Sequence, residues 1–478
     1  MTDRIVIIGN GMAGTRLASE LSTRGGDQKI TVLGAEPHRA YNRILLSTLL
    51  AGKIGESEVE LTEAAGRGVD LRTGVTVVSI DREERTVGTD EGDRIGYDHL
   101  VLATGSRAVV PPLTGLAAGH LPERVVPFRT LDDCRRIVGF ADRARRVLVL
   151  GGGLLGLEAA RGLATRGLEV TVVHPVPYLM ERQLDPAGAD VLARTLADLG
   201  VTIHLAVAAT AVAADTHGVR LDLADGRSLD ADLLVLACGV RPDTTLAAAA
   251  DLTVRRGVLV DDQLRTSDRR ISAIGDCAQH GDALTGLVAP AWAQAQVLAQ
   301  VLTGTDPLAR YQPRPAVTRL KTAGIDLAAM GDPSDGPGEE LTFTDPARGT
   351  YARLRITDER LTAAILLGDN PSVGTVIQLF DRGQPVPSDR RSLLLGRAFG
   401  AKPGEPAPTP ALMPDGATVC HCNNVNKRTL VDSWRCGART VDEVAAATRA
   451  GTGCGSCRDA VSGIVEWLST TDSVEVGR

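Results

Sequence analysis

One pattern occurs twice in this chain: a short apolar strand runs directly into a glycine-rich turn, which opens a helical stretch. The strand Ile5–Ile8 precedes the turn Gly9–Gly14 (GNGMAG), and the strand Val147–Leu150 precedes the turn Gly151–Gly156 (GGGLLG). The two turns begin 142 residues apart, which is a domain-sized interval. A strand, such a turn and a helix form the phosphate-binding part of a βαβ unit, so the repeat predicts two dinucleotide sites.

The first turn has the glycines that a bound dinucleotide requires. Gly9 permits the tight turn, Gly11 lets a pyrophosphate approach the backbone, and Gly14 lets the helix pack closely on the strand. Glu36 follows the next strand, Ile30–Leu33, where an acid should bind the ribose hydroxyls. The alternative is an ordinary glycine-rich turn with a surface acid, and the agreement of strand, spacing and acid argues against it.

The second turn has Glu158 just inside its helix, but its second strand, Glu169–Val173, ends in His174. An acid at that point is used for NAD, and a nearby arginine accommodates the extra phosphate of NADP. A neutral histidine indicates neither, so we expect NADH and leave NADPH open. Alternatively, His174 is a strand-end residue without a cofactor contact.

Two close cysteine pairs stand near the C-terminal end of the sequence. Cys420-x-Cys422 and Cys454-x-x-Cys457 are separated by 31 residues. Four thiolates in two close pairs predict a metal site, and either Zn²⁺ or a [2Fe–2S] cluster fits the spacing.

The same segment carries two further predictions. An apolar-periodic helix is expected over Cys454–Leu468, and its N-terminal amides would offset an anionic cluster. Cys436 lies outside both pairs and is expected to be a buried, small apolar residue.

The chain changes pattern after the second nucleotide unit. Strand-like segments begin at about Tyr311, with a hairpin predicted over Tyr351–Leu367, which indicates an α+β domain. Lys402–Gly416 is rich in proline and small residues, as expected of an exposed linker.

The predicted fold class is α/β: two Rossmann-like dinucleotide-binding domains, one nested in the other, an α+β third domain and a small helical C-terminal domain. The predicted boundaries are 1–113 with 243–306 for the first dinucleotide-binding domain, 114–242 for the second, 307–401 for the α+β domain, 402–416 for the linker and 417–478 for the C-terminal domain.

Charge and composition limit the class of partner. The net charge is −7, from 52 basic and 59 acidic residues, and only 3% of residues are aromatic. Neither a basic tract nor a base-stacking surface is indicated, so we expect no nucleic-acid partner.

The sequence starts without a secretory pattern, and its apolar run Val147–Leu157 is too short to span a membrane, so we expect a cytoplasmic protein without membrane contact.

Two further motifs, ATGS at Ala103–Ser106 and IGDCA at Ile274–Ala278, complete a resemblance to the two-dinucleotide-binding flavoprotein reductases. The resemblance implies that the first unit binds FAD and the second binds NAD(P)H. It also implies that Asp276, in the GD motif, holds the flavin ribitol. The alternative for Asp276 is a helix-capping residue after a strand.

A closer resemblance covers essentially the whole chain. AYNRILLS, MERQLD, GVRPDT and GLVAPAW are similar to segments in the N-terminal half of NADH-dependent nitrite reductase large subunits and in electron-transfer subunits of assimilatory nitrate reductases. This resemblance implies that Arg43 and Ser47 lie along the FAD and that Trp292 lies near the flavin ring. Otherwise Arg43 is a solvated helix charge and Trp292 a core aromatic. The cysteine pairs resemble those of bacterioferritin-associated ferredoxin modules, which favours [2Fe–2S] over zinc.

Motifs and resemblances together give three sets of predicted ligands. For FAD they are Gly9, Gly11, Met12, Ala13, Gly14, Glu36, Arg43, Ser47, Thr104, Gly105, Asp276 and Trp292. For NAD(P)H they are Gly151, Gly153, Leu154, Gly156, Glu158, His174 and Gly239. For the cluster they are Cys420, Cys422, Cys454 and Cys457.

The predicted activity is electron transfer from NADH through FAD and the cluster to a partner. No cysteine precedes Cys134, which argues against a thiol relay beside the flavin. The resembling nitrite reductases continue into a sirohaem domain, whereas this sequence ends at Arg478, so we expect it not to reduce nitrite by itself. We expect the catalytic molybdenum subunit of a nitrate reductase as partner. A separate nitrite reductase, a general NADH–acceptor reductase and a redox- or iron-responsive binding module are the alternatives.

Overall fold

The computed structural model describes residues 3–25, 28–61, 68–117, 119–313, 315, 317–322, 324–334, 336–395, 410, 413–420, 425–451 and 457–475. Contacts divide the chain into two compact units. The first unit comprises residues 1–111, 127–136 and 236–314, and the second comprises residues 112–126, 137–235 and 315–478. The second unit therefore interrupts the first twice in sequence, as a nested arrangement requires.

The strands fall into five groups along the chain. The first group is β1 Arg4–Ile8, β2 Lys29–Gly34, β3 Val69–Thr73, β4 Val77–Asp81, β5 Thr86–Thr89, β6 Arg94–Gly96, β7 His99–Leu102 and β8 Ser106–Ala108. The second is β9 Val125–Pro127, β10 Arg146–Leu150, β11 Glu169–Val173, β12 Val201–His204, β13 Ala209–Ala214, β14 Val219–Leu223, β15 Ser228–Ala231 and β16 Leu233–Leu236. The third is β17 Val240–Pro242, β18 Val258–Val260, β19 Ile271–Ala273 and β20 Ala278–His280. The last two are β21 Val317–Thr322, β22 Ile325–Met330, β23 Glu339–Asp345, β24 Thr350–Thr357 and β25 Arg360–Leu367, then β26 Thr418–Cys420 and β27 Val425–Asn426.

The α-helices of the described residues alternate with strands in the nucleotide units and cluster at the end. They are α1 Met12–Arg24, α2 Leu46–Leu50, α3 Leu131–Ala141, α4 Leu154–Thr165, α5 Pro186–Asp198, α6 Thr245–Ala249, α7 Val288–Thr303, α8 Val373–Arg382, α9 Ser392–Leu395, α10 Lys427–Arg435, α11 Val441–Thr448 and α12 Arg458–Glu475. Short 3₁₀ helices cover Arg43–Leu45, Glu56–Val59, Gly275–Cys277 and Pro346–Arg348.

The core of the first unit is a five-stranded parallel sheet in the order β19-β7-β1-β2-β3. The apolar residues of its central strand, Ile5–Ile8, are at most 5% exposed, because a parallel sheet is covered on both faces. All four therefore belong to one hydrophobic cluster with Leu17 of α1 and Leu298 of α7. This packing fixes the carboxyl ends of β1, β7 and β19 at one edge, where ligands bind in open α/β sheets.

The second unit repeats this arrangement and adds an antiparallel sheet. Its nucleotide sheet has the order β12-β11-β10-β16-β9, with β10, β11 and β12 parallel. The α+β region is an antiparallel sheet in the order β21-β22-β25-β24-β23. In the C-terminal segment β26 pairs with β27, and the helices among its described residues are α10, α11 and α12.

The predicted fold class is confirmed, and the hairpin predicted over Tyr351–Leu367 is β24 and β25. Two C-terminal predictions need correction. Helix α12 begins at Arg458, directly after Cys457, and extends to Glu475 rather than ending at Leu468. Cys436 is exposed, not buried, because α10 ends one residue earlier and Cys436 caps it.

Contacts do not test the predicted domain boundaries, because the second unit holds several of the predicted domains together. Those boundaries stay predictions.

Within the residues that the structure describes, every helix is too short or too polar to cross a membrane.

Candidate cofactor sites

In the first glycine turn, a side chain would clash with the backbone at Gly9 and Gly14, but it would meet open space at Gly11. Gly9 follows β1 with φ +117°, and its N–H donates to the carbonyl of Leu33 at 2.8 Å. A Cβ on Gly9 would lie 2.1 Å from the carbonyl oxygen of Ala103, and one on Gly14 would lie 1.9 Å from the Gly9 oxygen. At Gly11, the N-cap of α1, a Cβ would meet no atom within 4 Å. The turn therefore leaves space where a pyrophosphate would approach the backbone.

Glu36 lies two residues beyond β2 and is held by two neighbours. Its carboxylate accepts a hydrogen bond from Tyr41 at 2.7 Å and pairs with the guanidinium of Arg43. Burial raises the pKa of Tyr41 and Glu36 raises it further, against the opposing charge of Arg43, so the hydroxyl keeps its proton. Because a carboxylate can accept about four hydrogen bonds, Glu36 retains acceptor capacity for ribose hydroxyls.

Asp276 lies in the 3₁₀ helix that follows β19, and two residues distant in sequence hold its carboxylate. Oδ2 accepts from Ser106 Oγ at 2.9 Å and from Arg129 Nη2 at 2.6 Å. The side chains of Arg129 and Asp276 are 21% and 20% exposed, so their contact is mostly shielded from water. Arg129 was not among the residues predicted from the sequence, because a single arginine before a helix belongs to no spacing pattern.

Trp292 is buried in α7 against the start of α1. Its indole N–H donates to the carbonyl of Met12 at 3.2 Å, and the guanidinium of Arg16 lies 5.4 Å from the ring centroid. The side chain is thus a packed aromatic at the glycine turn. Its contact with the flavin ring stays a prediction.

The other residues predicted for FAD belong to the same unit. Thr104 donates from Oγ1 to the carbonyl of Asp243 at 2.7 Å. Gly105 has φ +72° and open space where a Cβ would stand. Ser47 is half-buried in α2, and Met12–Ala13 begin α1. All twelve predicted FAD residues therefore lie in one compact unit.

The second glycine turn has the same backbone form. Gly151 follows β10 with φ +119°, and its N–H donates to the carbonyl of Val173 at 2.9 Å. Gly153 is the N-cap of α4, and a Cβ there would meet no atom within 4 Å. This turn also leaves open space beside a helix N-terminus, which favours an anionic group.

The remaining residues predicted for NAD(P)H divide between the units. Leu154, Gly156 and Glu158 lie in the first turns of α4, and His174 directly follows β11. Gly239 belongs to the first unit instead. Its assignment to NAD(P)H stays a prediction.

The C-terminal cysteines are described in part. Cys420 ends β26 and Cys457 precedes α12, and both are buried. Cys422 and Cys454 lie outside the described residues, and no group of three metal-ligating side chains occurs among the residues that are described. These two buried thiols fit the predicted donor set, because cysteine thiolates hold iron–sulfur clusters.

Three segments of the chain match known protein families. Residues 3–297 match the pyridine nucleotide-disulphide oxidoreductase family, and residues 316–382 match the rubredoxin NAD⁺ reductase C-terminal domain. Residues 418–467 match the BFD-like [2Fe–2S] binding domain, so they include both cysteine pairs.

The chain is similar over nearly its whole length to a nitrite reductase subunit and to a nitrate reductase electron transfer subunit. The chain is 36% identical to the nitrite reductase [NAD(P)H] large subunit of Klebsiella oxytoca, covering 99% of this chain and 50% of that protein. It is 33% identical to the assimilatory nitrate reductase electron transfer subunit of Bacillus subtilis, covering 98% of this chain and 60% of that protein. The chain thus spans half to three fifths of these relatives, and the predicted resemblance is confirmed.

A solved structure shares the fold over most of the chain. The covalent putidaredoxin reductase–putidaredoxin complex aligns with a TM-score of 0.74 at 26% identity, covering 83% of this chain and 97% of that chain. Together with the family matches, this confirms FAD, NAD(P)H and a [2Fe–2S] cluster as the cofactors, in preference to zinc.

Proposed function

Because this chain belongs to the pyridine nucleotide-disulphide oxidoreductase family, we propose that it is an electron-transfer enzyme of nitrate or nitrite assimilation. The chain is an NAD(P)H-dependent oxidoreductase. The observation that carries the proposal is the combination of two open glycine turns and a ferredoxin-type cysteine segment in one sequence. When bound, FAD would supply hydride acceptance from NAD(P)H and a [2Fe–2S] cluster would supply one-electron transfer, so the redox chemistry would belong to the bound groups.

The residues of the chain contribute binding and orientation. Gly11 and Gly153 leave room for the two pyrophosphates beside the starts of α1 and α4. Glu36 and Asp276 are acceptors for FAD hydroxyls, and each carboxylate is held in place by an arginine. These ion pairs restrict the orientation of both acceptors, and an acceptor held in one orientation lowers the entropic cost of binding.

The finer proposal concerns the partner. We propose that the cysteine-rich segment delivers electrons to the catalytic molybdenum subunit of a nitrate reductase. Similarity to a nitrate reductase electron transfer subunit over 98% of the chain supports it. Similarity to a nitrite reductase large subunit over 99% of the chain supports the second candidate, donation to a separate nitrite reductase.

A cysteine series tests the internal electron path. Cys420→Ser and Cys457→Ser should lose iron and transfer to any partner, yet retain bleaching of the flavin absorbance by NADH under anaerobic conditions. Cys436→Ser is the matched control, because Cys436 is exposed and lies outside both predicted pairs. Wild-type partner reduction by the Cys457→Ser variant would contradict the proposal.

Reconstitution with purified partners tests the acceptor. The protein is mixed anaerobically with NADH, and either a molybdenum nitrate reductase subunit with nitrate or a nitrite reductase with nitrite is added. The finer proposal expects NADH oxidation coupled to nitrite formation. NADH oxidation coupled only to ammonium formation would establish the second candidate instead.

A further inference from the structure

His174, which directly follows β11, does not have a free acceptor for a ribose hydroxyl. His174 is 6% exposed, and its ring lies on the glycine turn, where a Cβ at Gly152 would come within 2.8 Å of its Cγ. Its Nδ1 accepts a hydrogen bond from the N–H of Gly152 at 3.1 Å. Nδ1 is therefore the unprotonated nitrogen, and Nε2 carries the proton of the neutral ring.

That proton is directed at a carboxylate. Nε2 of His174 lies 3.2 Å from Oε2 of Glu181, whose side chain is 33% exposed. A neutral imidazole with both nitrogens engaged has no lone pair left for another donor. The partly exposed carboxylate of Glu181 does have spare acceptor capacity.

The backbone also fixes Glu181 next to the turn. Met180 adopts φ +52°, and its N–H donates to the carbonyl of Gly152 at 3.1 Å. A left-handed conformation is unfavourable for a methionine, so this bend is maintained by the surrounding contacts. Residues 175–180 therefore return the chain to the glycine turn and bring Glu181 to the end of β11.

We propose that Glu181, positioned by His174, is the residue that selects NADH over NADPH in this protein. The inference rests on the proposed use of the second turn for NAD(P)H. Glu181 accepts the ribose 2′-hydroxyl of NADH, as a strand-end acid does in dinucleotide sites. A 2′-phosphate would meet the same carboxylate, and like charges at contact distance repel.

The positive charge of Arg182 opposes the selection of NADH over NADPH. It directly follows Glu181 and is exposed. An arginine near the strand end can accommodate a 2′-phosphate. Neutralising Glu181 should therefore both remove a hydroxyl acceptor and leave Arg182 to attract NADPH.

The test is equilibrium binding of NAD⁺ and NADP⁺ to the FAD-loaded protein by isothermal titration calorimetry. Both oxidised nucleotides bind without turnover, so the readout is independent of activity. In wild type, NAD⁺ should bind more tightly. In Glu181→Gln, the ratio of the two dissociation constants should shift toward NADP⁺ by about ten- to hundredfold, the range expected for one hydrogen bond to a charged group. The ratio of kcat/KM for NADH and NADPH should shift in the same direction.

Two variants complete the design. Glu169→Gln removes the same charge at the exposed start of β11, a strand length of about 15 Å from its end, and should leave the ratio unchanged. His174→Phe keeps the carboxylate but removes its donor, so the ratio should shift part of the way.

The outcomes separate this inference from the proposed function. An unchanged ratio in Glu181→Gln, or tighter binding of NADP⁺ than NAD⁺ to wild type, would overturn the inference alone. Failure of wild type to bind either nucleotide would overturn the proposed function as well.

Discussion

Arg129 donates a hydrogen bond from Nη2 to Oδ2 of Asp276 at 2.6 Å, although 147 residues separate them in the sequence. The same guanidinium nitrogen also donates to Ser106 Oγ at 2.6 Å, and that hydroxyl donates to Asp276. Three distant segments of the first unit therefore meet at one carboxylate. These contacts restrict the orientation of Asp276, the acid predicted to hold the flavin ribitol.

The first prediction is that Arg129→Met weakens FAD binding. Without the guanidinium, the largely shielded carboxylate of Asp276 loses a charged hydrogen bond, and FAD affinity should fall by about ten- to hundredfold. The ratio of flavin to protein absorbance after dialysis measures it. Arg107→Met is the control, because Arg107 forms a 2.7 Å pair with Asp243 but is 69% exposed. Equal FAD loss in both variants would contradict a specific role of Arg129.

The second prediction separates FAD binding from folding at the first glycine turn. Gly11 has φ −85° and open space around a Cβ, so Gly11→Ala should fold at a cost of about 1 kcal/mol or less. It should nevertheless bind FAD poorly, because the methyl group occupies the space of the pyrophosphate.

Gly14→Ala should behave differently, since its Cβ would lie 1.9 Å from the carbonyl oxygen of Gly9. We expect it to lower the free energy of unfolding of the apoprotein by about 1–3 kcal/mol, as overpacking does. Urea unfolding of both apoproteins and fluorescence titration with FAD distinguish the two effects. A stable Gly14→Ala apoprotein would show that the turn tolerates a side chain.

The third prediction concerns acid stability. Arg4 donates its side-chain Nε at 3.0 Å and its backbone N–H at 2.9 Å to Asp98, and these bonds lower the pKa of Asp98 to about 2. A carboxyl with a depressed native pKa stabilises the fold above its unfolded pKa of about 3.9, and the contribution is lost as pH falls through the native value.

The free energy of unfolding of wild type should therefore exceed that of Asp98→Asn by about 1 kcal/mol at pH 7. The difference should shrink between about pH 4 and pH 2, the window between the two pKa values. Urea titrations of both proteins across this range measure it, and the comparison removes the effect of other carboxyls. A difference that stays constant down to pH 2 would contradict the assigned pKa of Asp98.

The fourth prediction concerns thiol reactivity. Burial raises the pKa of Cys238 to about 11, so at pH 8 only about one thousandth of its thiol is the reactive thiolate. Cys436 is exposed on the C-terminal segment. Iodoacetamide at pH 8 should therefore label Cys436 well before Cys238, as peptide mass spectrometry would show. Rapid labelling of Cys238 would reopen a thiol route for electrons.

The regular elements near the glycine turns were predicted closely because their determinants are local. The strand expected over Glu169–Val173 has those bounds, and the strand expected over Ile5–Ile8 begins one residue earlier, at Arg4. Backbone sterics at Gly9 and Gly151 and the apolar runs before them leave few alternatives. The predicted burial of Cys436 was wrong, because its exposure depends on where α10 ends, and a single cysteine has no periodicity that indicates a helix end.

The sequence by itself determined the fold class, the two nucleotide turns and the residues that its motifs mark. The tertiary structure alone decided which side chains hold those residues. It paired Arg129 with Asp276, and it placed His174 between the N–H of Gly152 and the carboxylate of Glu181. Sequence spacing encodes local backbone geometry, whereas these pairings join segments that become neighbours only when the sheets fold.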